Sequence, residues 1–362
     1  YTLNNQHLPL WEPLFFTATT ASAAVVILYL VSFIFSYMFL CYIGKVLSVR
    51  TAAHDFQANS VFNVGVLFFL ISFVFFAIFY FSIGLVPVLS SDIENIRATS
   101  KIGSGKYLIL ANSFSLVSAA MTTAYLNKLS SSRKLIFWVL YVTVIILLAG
   151  TGYRAPAAYL ILISLVSYYV FSRGKVTRSL YIYTGILFLI TVFFGVLRNG
   201  GDIRSLMIPI AWAASVNFYN INVITDIYPL RLEYLYGFTF INDILAAIPG
   251  AGYDFFGNQL KIILAKDFSG EGITITAPGE GYINLGIFGS VIHALITATL
   301  AFIARSFFSK KRGVLYGVTG LILAINFGRI VTAGIMPALA FFLVPNAIVC
   351  FVFIALCRKI KY

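Results

Sequence analysis

Two sets of ionisable residues stand out from an otherwise apolar chain. The first is a group of arginines at the ends of hydrophobic runs: Arg97, Arg154 in GTGYRAP, Arg198 and Arg204 in RNGGDIR, Arg231 and Arg329. Arginine keeps its charge and presents a planar fork of donors that matches phosphate oxygens. Several at one membrane face would hold a diphosphate and stabilise it as a leaving group. The alternative is that each snorkels to the lipid headgroups and does no chemistry. For Arg154 the tight turn between Gly152 and Pro156 favours a fixed side chain over a floating one. The second set is acidic, with Glu280 in TAPGEGYINLG the leading candidate and Asp254, Asp243 and Asp226 its rivals. A carboxylate within reach of a bound hydroxyl serves as a general base. The same group at a helix mouth can instead do no more than complement the helix dipole.

These residues need a membrane scaffold to position them. With 60% hydrophobic residues, 10% charged residues and a mean hydropathy of +0.94, the chain is no soluble globular domain. Apolar runs of the length a bilayer requires, about 20 residues, fall at 15–43, 58–84, 107–126, 135–150, 155–171, 180–197, 281–304, 313–331 and 335–356. They predict an all-α polytopic protein with nine transmembrane helices, forming a single integral membrane domain over 1–362. Alternate loops hold fifteen Lys and Arg residues opposed only by Asp55, whereas the other side carries ten basic and eleven acidic residues. The basic set is therefore assigned to the cytoplasm, and Tyr1 and the 198–280 stretch to the outside. Tyr1 is not an initiator Met, so further chain is expected upstream, with an odd number of helices if the true N-terminus is cytoplasmic.

The net charge of +13 is thus a topology signal, and it gives no support to nucleic-acid binding. Membrane lipids are the expected partners of the basic clusters. In the external loop, 206–224 and 237–249 are apolar enough to lie as interfacial helices, while Gly and Pro mark 249–286 as loop rather than regular structure. His293 lies 12 residues beyond Gly281, roughly 18 Å along a straight helix. It is predicted to sit too deep for outer-face chemistry and to be bonded between helices, with a proton relay as the lesser alternative. Cys41, Cys350 and Cys357 have no metal-ligand spacing, and phosphate-loop, GxSxG and HExxH patterns are absent, so no metal or cofactor is predicted.

Taken in order, GLVPVL followed by Arg97, GTGYRAPAAYL at a hairpin, Arg198, YGFTFINDILAAIPG and PGEGYINLGIFG make the chain resemble the oligosaccharide repeat unit polymerases of bacterial surface polysaccharides, the O-antigen polymerase (Wzy-like) group. The resemblance implies a GT-C-like plan with a large periplasmic loop over 198–280 that forms much of the active site. It also implies a glycosyltransferase of the inner membrane acting on undecaprenyl-diphosphate-linked glycans, with a chain-length regulator as a further partner it leaves open. It carries Arg154, Arg198 and Glu280 onto catalytic positions and sets Tyr282 and Asn284 on the polar face beside them. Arg97, Arg204, Arg231, Arg329 and Asp254 are the further substrate-binding candidates, although Arg329 is followed by Ile330 where the family shows Arg-Gly. An O-antigen ligase is the nearest rival. A flippase for the same lipid-linked units is disfavoured, because transport helices carry ionisable groups at mid-membrane depth and this chain offers little there besides His293.

Overall fold

The computed structural model describes residues 18–46, 56–90, 103–172, 207–248, 252–263, 273–307 and 313–360, with Ile96, Ser100, Ile182 and Gly185 as isolated positions. Among them every regular element is a helix: α1 (Thr20–Val46), α2 (Ala58–Ile83), α3 (Gly105–Thr123), α4 (Ser131–Gly150), α5 (Arg154–Ser167), α6 (Met207–Ile227), α7 (Phe238–Ala247), α8 (Phe256–Ile263), α9 (Ala277–Phe307), α10 (Val314–Ala333), α11 (Ile335–Ala338) and α12 (Val344–Lys359). Single wider turns of π-helix at Tyr168–Ser172 and Leu339–Leu343 extend α5 and join α11 to α12.

Among the described residues, seven helices are long and apolar enough to cross a membrane: Thr20–Ile43, Ala58–Ile83, Ser131–Gly150, Ala155–Ser172, Ala277–Phe307, Val314–Ala333 and Ile335–Lys359. The chain is an all-helical, multi-pass membrane protein. Large side chains turned outward, such as Phe35 at 72% and Phe81 at 87% exposure, are a liability in water and suited to lipid. Of the nine expected spans, the run at 180–197 lies outside the described residues apart from Ile182 and Gly185. The run at 107–126 forms α3, which is long enough but more polar than the rest, with Ser113, Ser115, Ser118, Thr122 and Thr123 all buried.

Those small polar residues explain how α3 packs. The Ser118 hydroxyl donates to the Gly65 carbonyl at 2.7 Å and the Ser72 hydroxyl to the Ala111 carbonyl at 2.9 Å, so α2 and α3 approach backbone to backbone. Residues 50–194, 304–325 and 341–362 make one compact unit, with Phe68 edge-on to both Phe114 and Phe353 at 5.0 Å. Its polar contacts bring together the helix ends that the charge pattern placed on one side. Arg133 donates to Asn59, Asn127 donates to Ser172, and Arg358 donates to Tyr316.

Residues 1–49, 195–303 and 326–340 make the other unit. Here α6 is pinned by asparagines. Asn222 Oδ1 accepts from the Thr19 amide at 2.7 Å and the Ser22 hydroxyl at 3.0 Å, and the Asn220 amide donates to the Thr274 carbonyl at 3.0 Å. The two stretches expected as interfacial helices are α6 and α7. The loop expected across 249–286 needs correcting, since it contains α8 and the start of α9. In α8 the apolar pair Phe256 and Leu260, one turn apart, gives a short helix a face to bury.

Candidate functional site

The expectation of one straight helix after residue 281 fails at Leu285 (φ −142°, ψ 23°) and Gly286 (φ 61°, ψ −144°), which break α9. Residues 277–284 fold back against 287–307 as a helical hairpin. The 21 residues after the break still measure about 31 Å, enough for a bilayer core. The two arms touch at Gly281 and Gly289: a Cβ added to Gly289 would stand 1.9 Å from the Gly281 carbonyl oxygen. Ser290 locks the contact by donating to the Pro278 carbonyl at 2.9 Å. The break leaves carbonyls at the end of the short arm without intrahelical partners, and the segment before α7 supplies donors. The Leu235 amide bonds the Ile283 carbonyl at 3.0 Å and the Tyr236 amide bonds the Asn284 carbonyl at 2.9 Å.

This hairpin places Glu280 inside the protein, at 1% exposure, rather than at an open helix mouth. Its Oε2 accepts the Ile335 amide at 2.6 Å, the first N–H of α11. The carboxylate therefore complements the N-terminus of a different helix from its own. Gly334 makes the approach fit. Its φ is 90°, and a Cβ there would stand 2.8 Å from the Ile275 carbonyl oxygen and 3.0 Å from Glu280 Oε2, so no other residue suits the position. The second carboxylate oxygen, Oε1, has no hydrogen-bond partner.

The placement of His293 corrects the sequence reading. It is not some 18 Å from Glu280, because the chain reverses between them: His293 Nδ1 lies 3.9 Å from Glu280 Oε2. Neither ring nitrogen makes a hydrogen bond of ordinary geometry, although the Ala277 backbone at the start of the short arm lies close enough to act on the ring. Its ring rests against Phe240 with centroids 4.9 Å apart. One turn further, Thr297 donates to the His293 carbonyl at 2.8 Å and accepts the Tyr29 hydroxyl at 3.0 Å.

From α7, Thr239, Asn242 and Asp243 project into the same interior and are all buried. Asp243, a rival for the base, is close enough to act on Glu280 electrostatically. Burial raises its carboxyl above the ordinary carboxylate range, against the pull of the Phe256 amide at 2.7 Å and the Asn242 side chain at 3.2 Å. Its task is visible, because the Phe256 amide opens α8. Asn284, expected on a polar face, is a buried clamp. Its Oδ1 accepts the Gly237 amide at 3.0 Å, and its Nδ2 bonds Thr239 Oγ1 and the Glu280 carbonyl. Asn284→Ala orphans the Gly237 amide, and we expect a loss of about 1–3 kcal/mol, read as a lower melting temperature of the detergent-solubilised protein. Tyr282 is core, with its ring edge-on to Tyr234 at 5.9 Å.

Of the other candidates, Arg97, Arg198 and Arg204 lie outside the described residues. Arg154 is the first residue of α5. Arg231 is exposed in the turn after α6, and Arg329 is half-buried within α10. Asp226 and Asp254 are exposed, and Asp254 contributes its backbone carbonyl, which accepts from Asn242 at 2.8 Å. Sequence reasoning missed Thr239, Asn242 and Gly334. The polar residues at 239, 242 and 243, spaced three and four apart in an apolar helix, were the signal for an inward face.

The fold and site define a multi-pass helical membrane protein with a buried Glu–His pair on a broken helix. No protein-family model, curated protein or solved structure matches the chain.

Proposed function

We propose that the protein is a membrane glycosyltransferase that joins undecaprenyl-diphosphate-linked oligosaccharide repeat units into a surface polysaccharide, an O-antigen or similar, at the periplasmic face of the bacterial inner membrane. The growing glycan leaves its lipid diphosphate and passes to a hydroxyl at the non-reducing end of a new unit. In this reading Arg154 and Arg198 bind the diphosphate and stabilise its departing charge, with Arg97, Arg204, Arg231 and Arg329 as further contacts, and Glu280 takes the hydroxyl proton. The observation that carries it is the Glu280 carboxylate, with one oxygen held by the Ile335 amide and the other without a partner. A purely structural cap has no need to bury a carboxylate with half its bonding capacity unused, which is costly. The reading requires residues 277–284 to part from their cover to admit the hydroxyl. Arg154 at the start of α5 also supports it, because the free amides of a helix N-terminus add to the pull on an anion.

The test is to supply the purified protein with a synthetic undecaprenyl-diphosphate repeat unit, without nucleotide sugar or ATP, and to follow products on a gel. A ladder of multiples is expected. Because stabilising the leaving diphosphate is the larger electrostatic effect, Arg154→Ala and Arg198→Ala should each slow the ladder by about 10²–10³-fold, far more than Asp267→Asn or Glu271→Gln. Equal losses at all four positions would discard the ranking.

One observation favours a second reading, transport of the lipid-linked unit. Broken helices and buried ionisable pairs are features of transporters, and α9 has both. Movement of the unit across vesicles with no ladder would select it.

A further inference from the structure

The proposed transfer leaves His293 without a task, yet a buried histidine is costly to leave idle. It is 1% exposed, and neither ring nitrogen makes a hydrogen bond of ordinary geometry. The nearby Glu280 Oε1 is unpartnered as well. Buried polar atoms are nearly always satisfied, so three such atoms on two titratable side chains, brought together by a hairpin, need an explanation. A metal ion is not favoured, because among the described residues no third His, Cys, Asp or Glu completes a ligand set.

We propose that Glu280 and His293 form a couple that shares one proton, with His293 as the positioning residue that resets Glu280. The proposal deepens the glycosyltransferase reading and rests on it for the chemical steps. As the acceptor oxygen bonds to the anomeric carbon, its O–H proton passes to Glu280, and the carbon–oxygen bond to the diphosphate breaks with its electron pair on the diphosphate. As the short arm opens and water enters, the Glu280 acid passes that proton to His293 Nδ1, which restores the carboxylate and leaves an imidazolium. The imidazolium then releases the proton to that water. The present 3.9 Å separation closes to hydrogen-bond length with a shift of about 1 Å. The other titratable groups facing the pair are Asp243 from α7 and Tyr29 from α1, both near enough to act on Glu280 electrostatically. Until the arm opens, Phe240 covers the imidazole and keeps water from competing as acceptor.

Infrared titration of the purified protein in lipid nanodiscs tests the couple without requiring turnover. The carbonyl stretch of protonated Glu280 is identified by its loss in Glu280→Gln. In His293→Gln the midpoint of that band should move by about one pH unit or more, as for any strongly coupled pair. His293→Asn serves as the second variant if the first fails to fold. An unmoved midpoint in the folded variant overturns the proposal, and so does a Glu280 band that never titrates. In the ladder assay His293→Gln should slow turnover about 10²-fold without raising the KM for the lipid-linked unit. The double variant should be no slower than Glu280→Gln alone, because His293 acts through Glu280. A further additive loss would assign His293 a merely structural part. If the wild type forms no ladder, the glycosyltransferase reading falls, and the infrared result still decides the couple.

Discussion

Replacing Glu280 by glutamine is expected to leave the protein folded while slowing ladder formation by about 10²–10⁴-fold, the range for loss of a general base. The fold survives because the glutamine carbonyl oxygen can still accept the Ile335 amide that Oε2 accepts at 2.6 Å. A neutral amide also avoids the cost of holding a charge in a buried site, so the melting temperature should stay level or rise. Near-normal turnover in a folded variant would remove Glu280 from the mechanism. Equal folding and lost turnover would separate its chemical role from its role as a helix cap.

The second large effect is expected at a residue with no reactive group. Gly289→Ala puts a methyl carbon 1.9 Å from the Gly281 carbonyl oxygen, a backbone atom that no rotamer change can move aside. The arms of the hairpin must separate. Overpacking of this kind costs about 1–3 kcal/mol or more, and the separation pulls Glu280 away from His293. Loss of turnover together with a lower melting temperature is the expected outcome. Gly328→Ala is the comparison, since a Cβ there meets nothing within 4 Å. If the two variants melt alike, the close approach of the arms is not part of the folded protein.

Much of this architecture was legible in the residues, and the failures share one cause. Runs such as 58–84 and 335–356 became helices Ala58–Ile83 and Ile335–Lys359 because continuous apolar sequence of that length has few other solutions in a bilayer. The apolar stretches 206–224 and 237–249 became α6 and α7 for related reasons. Glu280 and Asp243 were recognisable as acids that an apolar environment does not accept without purpose. Periodicity could not show the reversal at Leu285 and Gly286. It assumes that a helix continues until a breaker stops it, and one glycine among Gly279, Gly281, Gly286 and Gly289 does not announce which of them turns the chain. The position of His293 was lost with it, since a distance counted along a straight axis has no meaning across a fold-back. Gly334 went unnoticed because its importance lies in the carboxylate opposite, 54 residues away in the chain.

The bonds from the Leu235 and Tyr236 amides to the Ile283 and Asn284 carbonyls also have an order in time. The chain is made from its N-terminus, so the donors emerge ahead of the acceptors by about 48 residues, or about 2–10 s at ordinary rates of synthesis. Through that interval water must satisfy them, which keeps the 235–236 segment out of the hydrocarbon. The arm that carries Glu280 is eight residues long, below the dozen or so that an isolated helix needs to persist. It is born too short to hold its own shape, and it acquires one by arriving at an edge that earlier residues have kept waiting.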